Sequence, residues 1–228
     1  DIMEPLAYRM KPDSLEEFFG QEQIVGKDKL LYRLIKADKL TSAIFWGPPG
    51  CGKTSLARVI AKTTKNKFEI LNATTAGVAD IKKVVENAEN IFENPTGKVI
   101  LFVDEIHRFN KLQQDALLPH VEKGTVILIG ATTENPYFSV NKALISRSTV
   151  FKFTELGKND IKDIILNCIN NKEKGLGSYN LDISDEAVDT LARISNGDVR
   201  TVLNALELAV LTTDIDSNGK IVITKDII

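Results

Sequence analysis

The sequence is short of the features that mark several protein classes. Two cysteines among 228 residues, Cys51 and Cys168, cannot build a disulfide framework, and their scarcity fits a reducing cytoplasm. No apolar run approaches the roughly 20 residues of a membrane-spanning helix, and no signal peptide is recognisable, so neither membrane association nor export is expected. Charge of one sign is lacking too: 29 Lys+Arg face 31 Asp+Glu, a formal net charge of −2. That balance excludes a globally basic nucleic-acid binder and leaves any DNA contact to local patches. There are no internal repeats and no low-complexity tracts. The 43% hydrophobic and 26% charged residues exclude disorder and a coiled coil.

What is present is an alternation of strand and helix through residue 156. Apolar runs of strand length fall at Ala43–Trp46, Phe68–Asn72, Val99–Val103, Thr125–Ala131 and Thr149–Thr154. Most lack the alternation of a half-exposed strand, as expected of a parallel sheet covered on both faces. Between them Val78, Ile81, Val84, Val85, Ala88, Ile91 and Phe92 recur at helical spacing, and Ser14 with Glu17 reads as a capping box. From Gly157 onward helical patterns dominate, over about 158–173, 184–195 and 198–212, with no strand until the last few residues. Asn196 and Gly197 tolerate left-handed backbone and end one helix, and Asp198 can cap the next. The division predicted is an α/β domain over 1–156 and a small all-α domain over 157–228. The second is expected to be truncated, because the sequence opens on Asp1 and stops within it.

Gly47, Pro48, Pro49, Gly50, Cys51, Gly52, Lys53 and Thr54 satisfy the phosphate-loop pattern G-x-x-x-x-G-K-[ST], with Ser55 in the helix that follows. A strand precedes the loop and a helix follows it, which is the context the pattern requires. Pro48 and Pro49 lack an N–H and stiffen the loop, so the phosphate donors are the amides from Gly50 onward. Lys53 would reach the β/γ phosphates of ATP and Thr54 a Mg²⁺ ion. The run Val99–Val103 ends in Asp104 and Glu105, placing two carboxylates at the sheet's C-terminal edge. Asp104 would hold Mg²⁺ through water and Glu105 would polarise the attacking water. His107 has no second His or Cys at ligand spacing, so a local hydrogen-bonding role is expected of it. Cys51 reads as a small filler within the loop.

With these motifs the chain resembles the AAA+ ATPases over nearly its whole length. More narrowly, it resembles the replication-associated recombination ATPases, bacterial relatives of Werner helicase-interacting protein. The segments carrying the resemblance are Pro5–Met10, Phe19–Gly26, Asp104–Asn110, Gly130–Pro136, Ser146–Ser148 and Gly197–Arg200. The resemblance implies a five-stranded P-loop core with a helical lid, ATP and Mg²⁺ as ligands, and Mg-dependent ATP hydrolysis. It implies that Thr132 (or Thr133) is the sensor-1 residue, Arg147 the arginine finger, and Arg200 the sensor-2 residue. It also implies that the segments around Tyr8–Arg9 and Ile24–Val25 make adenine-side contacts. A homo-oligomer is expected, acting on single-stranded or forked DNA in fork maintenance and recombination, with replication or single-strand-binding proteins as further partners.

Only Lys123 and Gly124 separate the helix ending near Glu122 from the strand at Thr125. That leaves no room for the β-hairpin that branch-migration and replicative helicases insert there. The stretch Ala73–Gly77 lacks the aromatic of an unfoldase pore loop. The competing function is a clamp-loader subunit that couples ATP binding to opening of a sliding clamp. Lys82, Lys83, Arg108 and Lys111 would line one face in a ring of subunits, although each alone reads as a solvated charge.

Overall fold

Strands β1 (Ser42–Trp46), β2 (Lys67–Asn72), β3 (Val99–Asp104), β4 (Val126–Thr132) and β5 (Thr149–Lys152) form one parallel sheet in the order β2-β3-β4-β1-β5. The computed structural model describes residues 4–228 and divides them into two units. The sheet unit comprises Asp13–Pro48 and Gly52–Thr154. The other comprises Pro49–Cys51, Glu155–Ile228 and the described residues through Pro12.

In the sheet unit, β4 is buried along its full length and β3 is buried up to its terminal Asp104. Their continuous Val, Ile and Leu runs follow from that two-sided burial. One face is covered by Ile81, Val84, Val85 and Ala88 of the helix Val78–Glu89, with Leu117 and Val121 of the helix Lys111–Lys123. Full burial of an Ile or Leu such as Ile81 or Leu117 stabilises the fold by roughly 1.5–3 kcal/mol. The apolar stripe stops short of its predicted end. Asn90 terminates the helix in extended backbone, and Ile91 and Phe92 stand exposed beyond it. The capping box expected at Ser14 is also rearranged. Ser14 makes no side-chain cap, and Glu17 instead accepts from the Asp13 amide at 3.0 Å, over the 3-10 turn Leu15–Glu17.

The second unit is built on the helices Lys158–Asn170, Asp185–Ile194 and Val199–Leu211. Ser184 caps the second by accepting from Ala187 N, and Asp198 caps the third by accepting from Arg200 N. Asn196 and Gly197 adopt φ of 51° and 80°, which ends the second helix with left-handed backbone. One strand departs from the helical expectation. Residues Leu181–Ile183 (β6) pair in parallel with Ile221–Ile223 (β7), and at three residues β6 is too short to show a period of two in sequence. The N-terminal turn Leu6–Arg9 packs against the helix Val199–Leu211. Leu6 is fully buried there, and its amide donates to Glu207 Oε2 at 2.9 Å.

Cys168 lies fully buried in this unit, and burial pushes its thiol up to about 11. The thiol therefore stays protonated at neutral pH. Native protein at pH 8 should alkylate at Cys168 far more slowly than protein in 8 M urea, followed by peptide mapping. Equal rates would show that the helices open freely.

Candidate nucleotide site

The site is assembled where β3, β4 and β1 end side by side. The register aligns Trp46 with Thr132 and Val103 with Gly130, so the segments after Trp46, Asp104 and Thr132 leave the same edge of the sheet. The strand order reverses between β4 and β1, and in open α/β sheets ligands settle at such a reversal.

Gly47 is the first residue beyond β1. Its amide donates to Thr132 O at 3.0 Å, and a Cβ there would lie 2.6 Å from Phe153 O and 2.7 Å from Phe153 Cβ. No side chain fits that approach. Gly52 has φ of 103°, and a Cβ on it would press to 2.9 Å from the Phe18 ring. As the N-cap of the helix Lys53–Thr64, Gly52 offers no side-chain oxygen to that helix's first amides. The positive end of this twelve-residue helix is suited to an anion. Leu56, Ala57, Val59, Ile60 and Ala61 bury the inner face of the helix and hold its first turn in place. Lys53 Nζ donates back to Gly47 O and lies 3.5 Å from Thr132 O. The lysine is thus folded over the loop, while Thr54 is exposed and Ser55 half-buried.

Asp104 ends β3, and its Oδ1 accepts from the Glu105 amide at 3.0 Å. Glu105 sits in the left-handed region with φ of 54°, which costs a non-glycine residue about 1–2 kcal/mol. The next residue explains how that backbone is held. Ile106 is fully buried against Gly130, where a Cβ would come 2.8 Å from Ile106 Cγ1. Glycine in the middle of β4 opens a socket for Ile106, and the anchored Ile106 fixes the turn that presents Glu105.

Thr132 is buried at 2% exposure, whereas Thr133 is exposed. Its Oγ1 pairs with His107 Nδ1 at 3.0 Å and accepts from Glu134 N at 3.0 Å. His107 Nε2 lies 3.8 Å from Glu134 Oε1, so the histidine has the local bonding role expected from its sequence setting. Among the described residues no cluster of three or more His, Cys, Asp or Glu could hold a metal unaided. A single carboxylate and a hydroxyl fit Mg²⁺, which is characteristically held by one or two carboxylates together with substrate phosphates.

The other sequence-predicted residues are placed as follows. Arg147, at the end of the helix Lys142–Ser146, pairs with Glu122 at 2.8 Å through Nη2 and at 2.9 Å through Nε. Its Nη1 donates to Ala143 O. Arg200 is exposed in the first turn of the helix Val199–Leu211, and its side chain makes no ion pair among the described residues. Tyr8 is half exposed beneath Lys11 Nζ, 4.2 Å from its ring centroid. Arg9 donates to Lys174 O and Glu4 O, lies 3.8 Å from Glu207, and lines a cavity of about 190 Å³ with Pro5, Leu176, Tyr179 and Leu211. Ile24 is buried and Val25 half-buried. Cys51 is buried, as a filler residue would be.

Three contributors escaped the sequence reading. Gln113 is buried and donates to Ala73 O at 2.8 Å and Ala76 O at 2.6 Å, stapling the loop after β2 to the helix that follows Glu105. Its signal was the Asn110-to-Gln113 capping-box spacing, realised by reciprocal bonds of 2.8 Å. The packing role of Gly130 and the pairing role of Glu122 gave no local signal, because each acts through a neighbour distant in the chain.

Residues 43–156 match the family described as ATPase family associated with various cellular activities (AAA), and residues 177–228 match the AAA C-terminal domain. The chain is similar to replication-associated recombination protein A of Coxiella burnetii, at 48% identity over 98% of this chain and 50% of that protein. The protein of the same name from Escherichia coli K12 is 43% identical over 100% of this chain and 51% of its own length. ATPase WRNIP1 of Dictyostelium discoideum is 43% identical over 90% of this chain and 23% of its own length. The chain therefore spans about half the length of the curated bacterial relatives it matches. Among solved structures, the RuvB Holliday junction branch migration motor of Thermotoga maritima superposes with a TM-score of 0.75 at 26% identity, over 96% of this chain and 70% of that one.

The Gly130 socket is directly testable. Gly130→Ala should lower stability by about 1–3 kcal/mol through overpacking against Ile106, measured as a reduced urea midpoint at unchanged m. Ile106→Ala removes both γ carbons that crowd the new methyl, so the double variant should lose less than the sum of the two single losses. An unaltered midpoint in Gly130→Ala would mean that Ile106 does not anchor the Glu105 turn.

Proposed function

Because the chain belongs to the AAA family of ATPases, we propose that it binds ATP·Mg²⁺ on the Gly47–Ser55 loop and hydrolyses it to act on DNA in replication-fork maintenance and recombination. The observation that carries the reading is the convergence, at three adjoining strand ends, of a phosphate loop, a paired carboxylate turn and a buried threonine. The names of the relatives supply the DNA context, and the catalytic parts supply the chemistry.

In this reading the amides from Gly50 into the first turn of the helix Lys53–Thr64 hold the phosphates. Lys53 releases Gly47 O to reach the β and γ groups. Thr54 and, through water, Asp104 would hold Mg²⁺, which when bound would supply positive charge beside the transferring phosphoryl group. Glu105, presented by its left-handed turn, accepts the proton of the attacking water. Thr132 reads the γ-phosphate, its hydroxyl orientation set by His107 and Glu134 N. Arg200 acts as sensor 2, and the segments at Tyr8–Arg9 and Ile24–Val25 serve the adenine side. Helix Lys111–Lys123 and β4 are joined by two residues, Gly124 and Thr125, so nothing is inserted ahead of the sensor.

Arg147 completes the site of a neighbouring copy, which requires it to leave Glu122. Fingers supplied in trans accelerate phosphoryl transfer by about 10³–10⁵, or roughly 4–7 kcal/mol of barrier. Its exposed ion pair with Glu122 is worth at most about 1 kcal/mol and yields readily.

Two experiments test the reading. Lys53→Ala should lose binding of a fluorescent ATP analogue, while Glu105→Gln should keep it and lose turnover by about 10²–10⁴. Normal turnover in Glu105→Gln overturns the assignment of the base. In the full protein, Arg147→Ala should keep ATP affinity and lose hydrolysis, and mixing it with Lys53→Ala should restore part of the activity. Rates measured with single-stranded, duplex and forked DNA, without any sliding clamp, test the substrate. A rate indifferent to DNA and raised only by a clamp would favour the clamp-loader function.

A further inference from the structure

We propose that the sheet edge beside Glu105 carries a binding strip for single-stranded nucleic acid, made of the rings of Tyr137 and Phe138 with the cations Arg108, Lys111 and Lys142. The proposal rests on the reading that the protein acts on DNA, and it assigns the contact residues.

The first observation is an exposure with no structural reason. Phe138 is 90% exposed and Tyr137 63% exposed, adjacent on the short helix Pro136–Ser139. That helix is firmly anchored. Asn135 Oδ1 accepts from Tyr137 N, Ser139 Oγ donates to Asn135 O, and Pro136 and Val140 are buried on either side. The backbone is pinned while both rings face solvent, an arrangement that burial alone would not select.

The second observation is charge. Arg108, Lys111 and Lys142 are exposed and enter no ion pair among the described residues, whereas Arg147 is neutralised by Glu122. Residues 106–114 and 135–147 contain no Asp or Glu. Of the acids at their borders, Glu134 faces His107, Asp104 and Glu105 belong to the nucleotide site, and Asp115 lies one turn beyond Lys111.

The third observation joins the two segments. Asn141 Nδ2 donates to Phe109 O at 3.1 Å, and His107 bonds Thr132. The segment that carries the rings and the segment that carries Arg108 and Lys111 therefore meet at a common seam. Aromatic faces accept any base by stacking, and unpaired cations neutralise the backbone that connects the bases. A strip of this chemistry fits a single strand, whose bases are free to stack, better than a duplex or an acidic protein surface. The seam also ties the strip to the nucleotide site. Tyr137 N is held by Asn135, and one residue earlier Glu134 N is held by Thr132 Oγ1, the hydroxyl that His107 orients.

The test is photocrosslinking of the full protein to oligothymidylate carrying 5-iodouracil, with tryptic mapping. A crosslink is expected in the peptide 124–142, at Tyr137 or Phe138. The double variant Tyr137→Ser/Phe138→Ser should lose at least tenfold in oligothymidylate affinity and keep DNA-independent ATP hydrolysis. Arg108→Ala and Lys111→Ala should each lower the slope of log K against log salt by about 0.7, the value for one contact with a single strand. Crosslinks confined to other peptides overturn the strip and leave the DNA reading standing. Absence of any crosslink or binding in the parent overturns both. If the double variant binds DNA normally and loses self-association in sedimentation, the rings contact a second copy of the chain and the proposal falls.

Discussion

The side-by-side pairing of β1 and β4 is the constraint on which the rest of the molecule depends. It brings Thr132 level with Trp46, so that one carbonyl, Thr132 O, receives the Gly47 amide and lies within reach of the Lys53 ammonium. The phosphate loop is thereby tied to the strand whose side chain bonds His107, and His107 follows the carboxylate pair in the chain. A slip of the β1–β4 register would turn every side chain of one strand to the opposite face of the sheet. It would also separate the loop from the threonine. The buried Val, Ile and Leu of β3 and β4 are therefore as much a part of the site as its polar residues.

Close approach does the remaining work. Phe153 against Gly47, Phe18 against Gly52 and Ile106 against Gly130 are three places where a glycine admits a neighbour that any side chain would exclude. Two belong to the phosphate loop. The third lies within β4 and supports a left-handed glutamate, so local strain at Glu105 is balanced by tertiary packing elsewhere. Strain of that kind persists only when the surroundings over-determine the backbone.

The five parallel strands and the phosphate loop were legible in the sequence because both rest on local signals: apolar runs of strand length and a spacing pattern within eight residues. The roles of Gly130, Glu122 and Gln113 were not, because each depends on a partner between 24 and 40 positions away along the chain. Ile91 and Phe92 continued the apolar stripe of their helix on paper, but Asn90 turns the backbone out of the helix before them. Strand β6 failed for another reason. Three residues that pair only with Ile221–Ile223 carry too little periodicity to stand out among helices.

The bond between Leu6 N and Glu207 has a consequence for how the chain is made. It spans 201 positions, and the sheet unit lies almost wholly between its ends. At about 5–20 residues per second of synthesis, roughly 10–40 s separate the emergence of Leu6 from that of its partner. Every residue of the sheet is available before the helical unit can close. A growing chain can thus pair the strands that support its phosphate loop while the apolar Leu6 still lacks the helix that will bury it.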